Sequence, residues 1–156
     1  MDDVSARGWI HEKRKRDELY QCLLDWRWEW FCSLNLPQGK SFMDAEQYLK
    51  HWRSLFYKKG LKIGYMGLFS MLPHCHIHLL MVGYSADKSS LFHVDKWEWE
   101  KEWSRLTKQT ADIQWINDVD AVAGYISFKN TYPGLYELLK PHNKKVLKSC
   151  KREKET

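Results

Sequence analysis

Residues 73–82 are Pro-His-Cys-His-Ile-His-Leu-Leu-Met-Val, a stretch in which histidine occupies every second position before an apolar run. Side chains alternate between the two faces along a β-strand. The alternation therefore places His74, His76 and His78 on one face of a strand, and the apolar run predicts that this strand is buried. A single histidine there would favour a structural core residue. Three on one face favour a metal site, because imidazole is the commonest protein metal ligand.

On either side of this strand, the hydrophobic pattern predicts further strands and amphipathic helices. Ser41 stands three residues before Asp44, a spacing typical of a capping box that starts a helix, and Gly60 ends the same helix. The predicted elements are a helix over 11–27, a strand over 28–36, a helix over 41–60, paired strands over 61–70 and 74–82, a helix over 95–108, a strand over 112–116 and a helix from 117 or 118. This order predicts an α+β fold, with a central antiparallel sheet flanked by helices.

The length of the chain indicates one domain, and its basic composition suits a polyanionic partner. The chain has 156 residues, 44% of them apolar, and carries 25 Lys plus Arg against 20 Asp plus Glu, a net charge of +5. We expect the folded domain to span residues 1–140. Residues 141–156 form a basic tail, which we expect to be solvated or to touch phosphate nonspecifically. Most of the nine Trp are expected in the core, and some could stack on unpaired bases.

The cysteines and the hydropathy pattern indicate a cytoplasmic protein. Cys22, Cys32, Cys75 and Cys150 are scattered without the Cys-x-x-Cys spacing of a zinc ribbon, and they predict reduced thiols. No run of about 20 apolar residues is present, so no membrane-spanning segment is expected.

The last predicted helix carries a second group of reactive side chains. Tyr125, Lys129 and Tyr132 are spaced i, i+4 and i+7, away from the apolar side of that helix. A phenol with a pKa near 10 is a poor nucleophile unless a cation assists it. A divalent ion on the histidines could polarise a phosphodiester for attack, and Lys129 could stabilise the phenolate or protonate the leaving group.

Three blocks, in this order along the chain, resemble motifs of the HUH endonuclease superfamily, specifically the rolling-circle replication initiators (Rep proteins) of small plasmids and single-stranded DNA phages. They are Phe-Cys-Ser-Leu-Asn-Leu at 31–36, His-Ile-His-Leu-Leu at 76–80 and Val-Ala-Gly-Tyr-Ile-Ser-Phe-Lys at 122–129. The resemblance covers residues 28–132. It implies a ferredoxin- or RRM-like core, a Mg²⁺ or Mn²⁺ ion, and nicking of single-stranded or hairpin DNA that leaves a 5′-phosphotyrosine and a free 3′-hydroxyl. A host replication helicase would be a further partner.

The resemblance implies His76 and His78 as metal ligands, and the third ligand stays open. Family members often carry Glu or Asp on the strand before the histidines, whereas residues 61–70 contain no acid. His74 is an alternative third ligand. Along a regular strand it lies ~13 Å from His78, at ~3.3 Å per residue, so it would need a bulge after Pro73.

The tyrosine block also departs from the family pattern. The family commonly shows Tyr-x-x-Lys-Tyr, whereas here Lys129 follows Tyr125 by four positions and the next tyrosine is Tyr132. We take Tyr125 as the nucleophile and Tyr132 as the alternative. Two other functions stay open: a single-tyrosine transposase of the same superfamily, and a noncatalytic domain that binds single-stranded nucleic acid.

Overall fold

The computed structural model describes residues 27–71, 73–117 and 136–149. The strands in these ranges are β1 (Trp30–Asn35), β2 (Lys62–Ser70), β3 (His76–Tyr84), β4 (Ala111–Trp115) and β5 (Tyr136–Leu138). The α-helices are α1 (Phe42–Lys58), α2 (Lys96–Thr107) and α3 (Lys144–Ser149), and a 3₁₀ turn covers Leu91–His93. The predicted helix over 11–27 lies, apart from Arg27, outside the described residues, and so does the predicted helix with Tyr125.

The five strands form one antiparallel sheet in the order β4-β1-β3-β2-β5. The predicted α+β fold with a central antiparallel sheet is therefore confirmed. From β1 to β4 the chain follows the β-α-β-β-α-β order of a split βαβ, or ferredoxin-like, motif. The histidine strand β3 is the middle strand of the sheet. Within these residue ranges, none of the helices combines the length and the hydropathy that a membrane span requires.

Local capping interactions set the starts of the two long helices. The Ser41 hydroxyl accepts the Asp44 amide at 3.2 Å, and the Asp44 carboxylate accepts the Ser41 amide at 2.9 Å. This is the reciprocal capping box that the sequence predicts. The Asp95 carboxylate accepts the Trp97 amide at 3.0 Å and caps α2 in the simpler way.

Helices α1 and α2 cover one face of the sheet with an aromatic core. Trp52 and Phe56 of α1 meet Trp99 and Trp103 of α2, with Phe56 and Trp99 stacked in parallel. The indole N–H of Trp52 donates to the Trp99 carbonyl at 3.1 Å, so this buried polar group is satisfied. On β1 the alternate residues Trp30, Cys32 and Leu34 are buried against these helices. The residues between them point to the opposite face, which is the face of His76 and His78.

Helix α3 packs on that opposite face, at β2. A Cβ atom added to Gly64 would lie 3.0 Å from Leu147 Cδ2, and Val146 and Leu147 are buried. The basic residues of this region predict a solvated end, whereas residues 144–149 form a helix against the sheet. Two apolar residues among lysines give too short a pattern to predict packing. The three-residue strand β5 is likewise too short for the pattern to show.

Candidate metal centre

His76 and His78 lie on the face of the sheet opposite α1 and α2, beside the polar residues of β1. In the antiparallel register His76 lies opposite Asn35 and His78 lies opposite Ser33. Both imidazoles are buried, with 9% and 8% of their surface exposed. Buried titratable side chains that share a face with hydroxyl and amide groups are typical of a functional site.

The rings of His74, His76 and His78 form a row. Ring centroids lie 5.2 Å apart between His74 and His76, and 4.7 Å apart between His76 and His78. β3 begins at His76 and not, as predicted, at residue 74, so His74 lies in a bend before the strand and is exposed. His74 therefore does not occupy the regular strand position on which the ~13 Å separation from His78 depends.

Hydrogen bonds define the tautomers of two of these rings. His76 Nδ1 lies 2.7 Å from the His74 carbonyl oxygen. A carbonyl can only accept, so Nδ1 of the neutral ring carries the proton and Nε2 carries the lone pair. His74 Nε2 donates in the same way to Asn35 Oδ1 at 2.9 Å, while Asn35 Nδ2 donates to Thr110 Oγ1 at 2.6 Å.

Two residues of β1 hold the ring of His78. The Ser33 hydroxyl lies 3.3 Å from His78 Nδ1, where the tautomer decides which group donates. The Phe31 ring lies parallel to the imidazole, with a centroid distance of 5.5 Å and an angle of 6°. A side chain that is packed on one side and hydrogen-bonded at one nitrogen is restricted to one orientation.

The environment keeps both buried imidazoles neutral at pH 7. Burial lowers the pKa of His76, against an opposing effect of its hydrogen bond to His74. Burial, followed by the proximity of His76 and His74, lowers the pKa of His78 to about 4. Metal binding needs the neutral imidazole, so these two side chains do not have to lose a proton before they coordinate an ion.

His76 and His78 fit a metal centre as a pair of imidazole ligands. Among the described residues, no group of three or more His, Cys, Asp or Glu side chains is arranged to hold an ion. β2 carries no acid beside the histidines, and Ser70 is the residue opposite His76. Asp112 lies opposite Ser33 and therefore shares the face of His78, but two strand spacings, or ~10 Å, separate it from β3. This part of the chain therefore offers two candidate ligands, His76 and His78.

The predicted nucleophile Tyr125, its alternative Tyr132 and the helper Lys129 lie outside the described residues. Four further residues lie at the site without a sequence signal that predicts them there: Phe31, Ser33, Asn35 and Thr110. Three of them alternate within the first motif block, which indicates a shared strand face. Their pairing with the histidines depends on the β1–β3 register, which no local pattern encodes.

Comparison of the chain with protein-family models, with curated proteins and with solved structures gives no match. The chemistry of the site and the resemblance of the three sequence blocks are therefore the indications of function.

Proposed function

We propose that this chain is a metal-dependent endonuclease of the HUH type that nicks and joins single-stranded DNA, in a sequence-specific manner, to initiate rolling-circle replication. The observation that carries the proposal is the pair of buried, neutral imidazoles of His76 and His78, side by side on the middle strand of an antiparallel sheet. Further support comes from the order of the three sequence blocks. Single-stranded or hairpin DNA is the substrate, and a host replication helicase is the partner in unwinding.

His76 and His78 are the residues that would hold the ion, with His74 or a residue outside the described ranges as a third ligand. A bound divalent ion supplies Lewis-acid polarisation of the scissile phosphate. Of the two proposed ions, Mn²⁺ suits this pair better than Mg²⁺, which prefers oxygen ligands throughout. The parallel Phe31 ring and the Ser33 hydroxyl keep His78 in one orientation.

In the proposed reaction Tyr125 is the nucleophile. Its hydroxyl releases a proton to solvent, its oxygen forms a bond to phosphorus, and the bond between phosphorus and the 3′ oxygen breaks. Lys129 donates a proton to the departing 3′ oxygen. The product is a 5′-phosphotyrosine, and attack on it by a 3′-hydroxyl reverses the step and joins two strands.

A noncatalytic single-strand-binding domain is the second candidate function, and one surface favours it. Trp97 and Trp115 are 56% and 42% exposed, and their rings meet edge to face with centroids 5.8 Å apart. Lys96 Nζ lies 4.6 Å and 5.0 Å from the two ring centroids. Exposed aromatic rings beside a cation are groups on which unpaired bases stack.

One experiment separates the two candidates. The protein is incubated with end-labelled random single-stranded DNA and Mn²⁺, and the products are analysed by gel and by mass spectrometry for a nucleotide linked to tyrosine. The endonuclease predicts a shortened strand and a covalent adduct, both lost in chelator. Tight binding without any adduct would instead favour the noncatalytic domain.

A further inference from the structure

Asn35 connects the edge of the core to the loop before the histidine strand. Its backbone amide donates to the Thr110 carbonyl at 3.0 Å, and its carbonyl accepts the Trp103 indole N–H at 2.8 Å. Its side chain spans Thr110 Oγ1 and His74 Nε2, at 2.6 Å and 2.9 Å. The backbone of Asn35 is thus anchored on two sides, and its amide group reaches outward to His74.

The position of His74 in turn affects the ring of His76. It lies in the bend before β3, and its carbonyl oxygen accepts the His76 Nδ1 proton at 2.7 Å. The position of that carbonyl decides whether the proton of the neutral His76 ring stays on Nδ1 or moves to Nε2. The hydrogen bond between the His74 side chain and Asn35 holds His74 in place, and with it the carbonyl that selects the tautomer of His76.

We propose that Asn35 is a positioning residue. It holds His74 so that the His74 carbonyl fixes the Nδ1–H tautomer of His76 and presents the Nε2 lone pair to a divalent cation. The cation rests on the proposed function, whereas the tautomer is a property of the chain alone. Substitution of a residue that hydrogen-bonds to a metal-ligating histidine typically lowers metal affinity by roughly 10- to 100-fold.

The first test measures the tautomer in metal-free protein. Protein labelled with ¹⁵N-histidine is compared by NMR at neutral pH with Asn35→Ala. We expect the wild-type His76 signals to show Nδ1–H alone and the variant to show a mixture with Nε2–H. Gln114→Ala is the matched control, because Gln114 is an exposed residue of β4 on the same face as Asn35, and it should leave the His76 signals unchanged.

The second test measures Mn²⁺ affinity directly by electron paramagnetic resonance. Asn35→Ala should weaken binding roughly 10- to 100-fold. Asn35→Asp keeps an oxygen that accepts from His74, so it should keep the wild-type tautomer. If Asn35 acts through His74, Asn35→Ala should have no further effect in a His74→Ala background.

A folded Asn35→Ala variant with the wild-type tautomer and affinity would overturn the proposal. If Asn35→Ala does not fold, His74→Ala removes the same hydrogen bond between Asn35 and His74 at an exposed position. A wild-type tautomer of His76 in that variant would also overturn the proposal. Wild-type protein that binds no Mn²⁺ would overturn the metal part. Protein that binds Mn²⁺ in the Asn35-dependent manner without nicking DNA would support the inference and contradict the proposed function.

Discussion

Gly64 of β2 lies directly against Leu147 of α3, so that a Cβ atom on Gly64 would come within 3.0 Å of Leu147 Cδ2 and 3.2 Å of the His142 carbonyl oxygen. The absence of a side chain at this position allows α3 to pack on the sheet. A Cβ atom there would require Leu147 to shift by a few tenths of an ångström, and the nearby backbone oxygen has less freedom than a side chain to make room.

We predict that Gly64→Val destabilises the protein by about 1–3 kcal/mol, because it overpacks this contact. Valine has a high strand propensity, so any loss of stability in urea denaturation reports crowding and not a weaker strand. Leu147→Ala is the partner variant. The cost of Gly64→Val should be smaller in the Leu147→Ala background, and an equal cost in both backgrounds would show that the two residues do not interact.

A second constraint on the same region comes from His142. Its ring stacks on Tyr65 with centroids 5.1 Å apart, and its Nε2 lies 2.6 Å from the Tyr57 hydroxyl. Arg53 donates to the Tyr65 hydroxyl at 2.9 Å, so a positive charge lies nearby. Burial, and then the charge of Arg53, lower the pKa of His142 from its usual 6.5 to about 4.

This lowered pKa predicts a stability loss in acid. The pKa of His142 in the folded protein lies below its unfolded value, so the unfolded chain binds more protons as the pH falls. The stabilisation from the neutral His142 ring is therefore complete above about pH 6.5 and is lost as the pH falls towards 4. His142→Gln should reduce this decline by about 1–2 kcal/mol, after allowance for the partly exposed ring. Urea denaturation across this pH range measures it. His78 contributes a separate decline of the same sign, and an unchanged slope in His142→Gln would refute the assignment.

The histidine row predicts a graded response to substitution. His76→Ala and His78→Ala should each weaken Mn²⁺ binding and nicking by roughly 100-fold or more, because each removes a proposed ligand. His74→Ala should have a smaller effect, of the roughly 10- to 100-fold size expected for Asn35→Ala, because His74 lies outside the buried pair and its Nε2 is engaged by Asn35. The control is His51→Ala, an exposed position on α1. Full nicking by the His76→Ala/His78→Ala double variant in chelator would rule out the metal mechanism.

The sequence predicts those features of the structure that depend on residues close together along the chain. The capping box of Ser41 and Asp44 spans three positions, and the common face of His76 and His78 follows from strand alternation alone. The link from Asn35 to His74 joins residues 39 positions apart, and the link from Asn35 to Thr110 joins residues 75 apart. Such contacts follow from the sheet register, which depends on the whole fold.

The form of the substrate is the fourth prediction. Single-stranded or hairpin DNA should be cut and linear duplex should not, because the proposed chemistry needs an accessible phosphate beside unpaired bases. Binding should weaken steeply as salt rises, since a chain of net charge +5 releases counterions when it contacts phosphates. Gel assays with matched single-stranded and duplex oligonucleotides measure both effects. Equal cleavage of the duplex would contradict the prediction.

The last prediction concerns the proposed nucleophile Tyr125, whose sequence block departs from the pattern of the HUH proteins that it resembles. Tyr125→Phe removes one hydroxyl, so it should abolish nicking and the covalent adduct while single-strand binding stays intact. Tyr132→Phe, the matched control, should keep the adduct. Lys129→Ala should slow nicking by roughly 10²-fold or more if Lys129 transfers a proton, and much less if it only contacts phosphate. Peptide mapping of the adduct decides between the tyrosines, because an adduct on Tyr132 would move the nucleophile by seven residues and leave the metal chemistry unaffected.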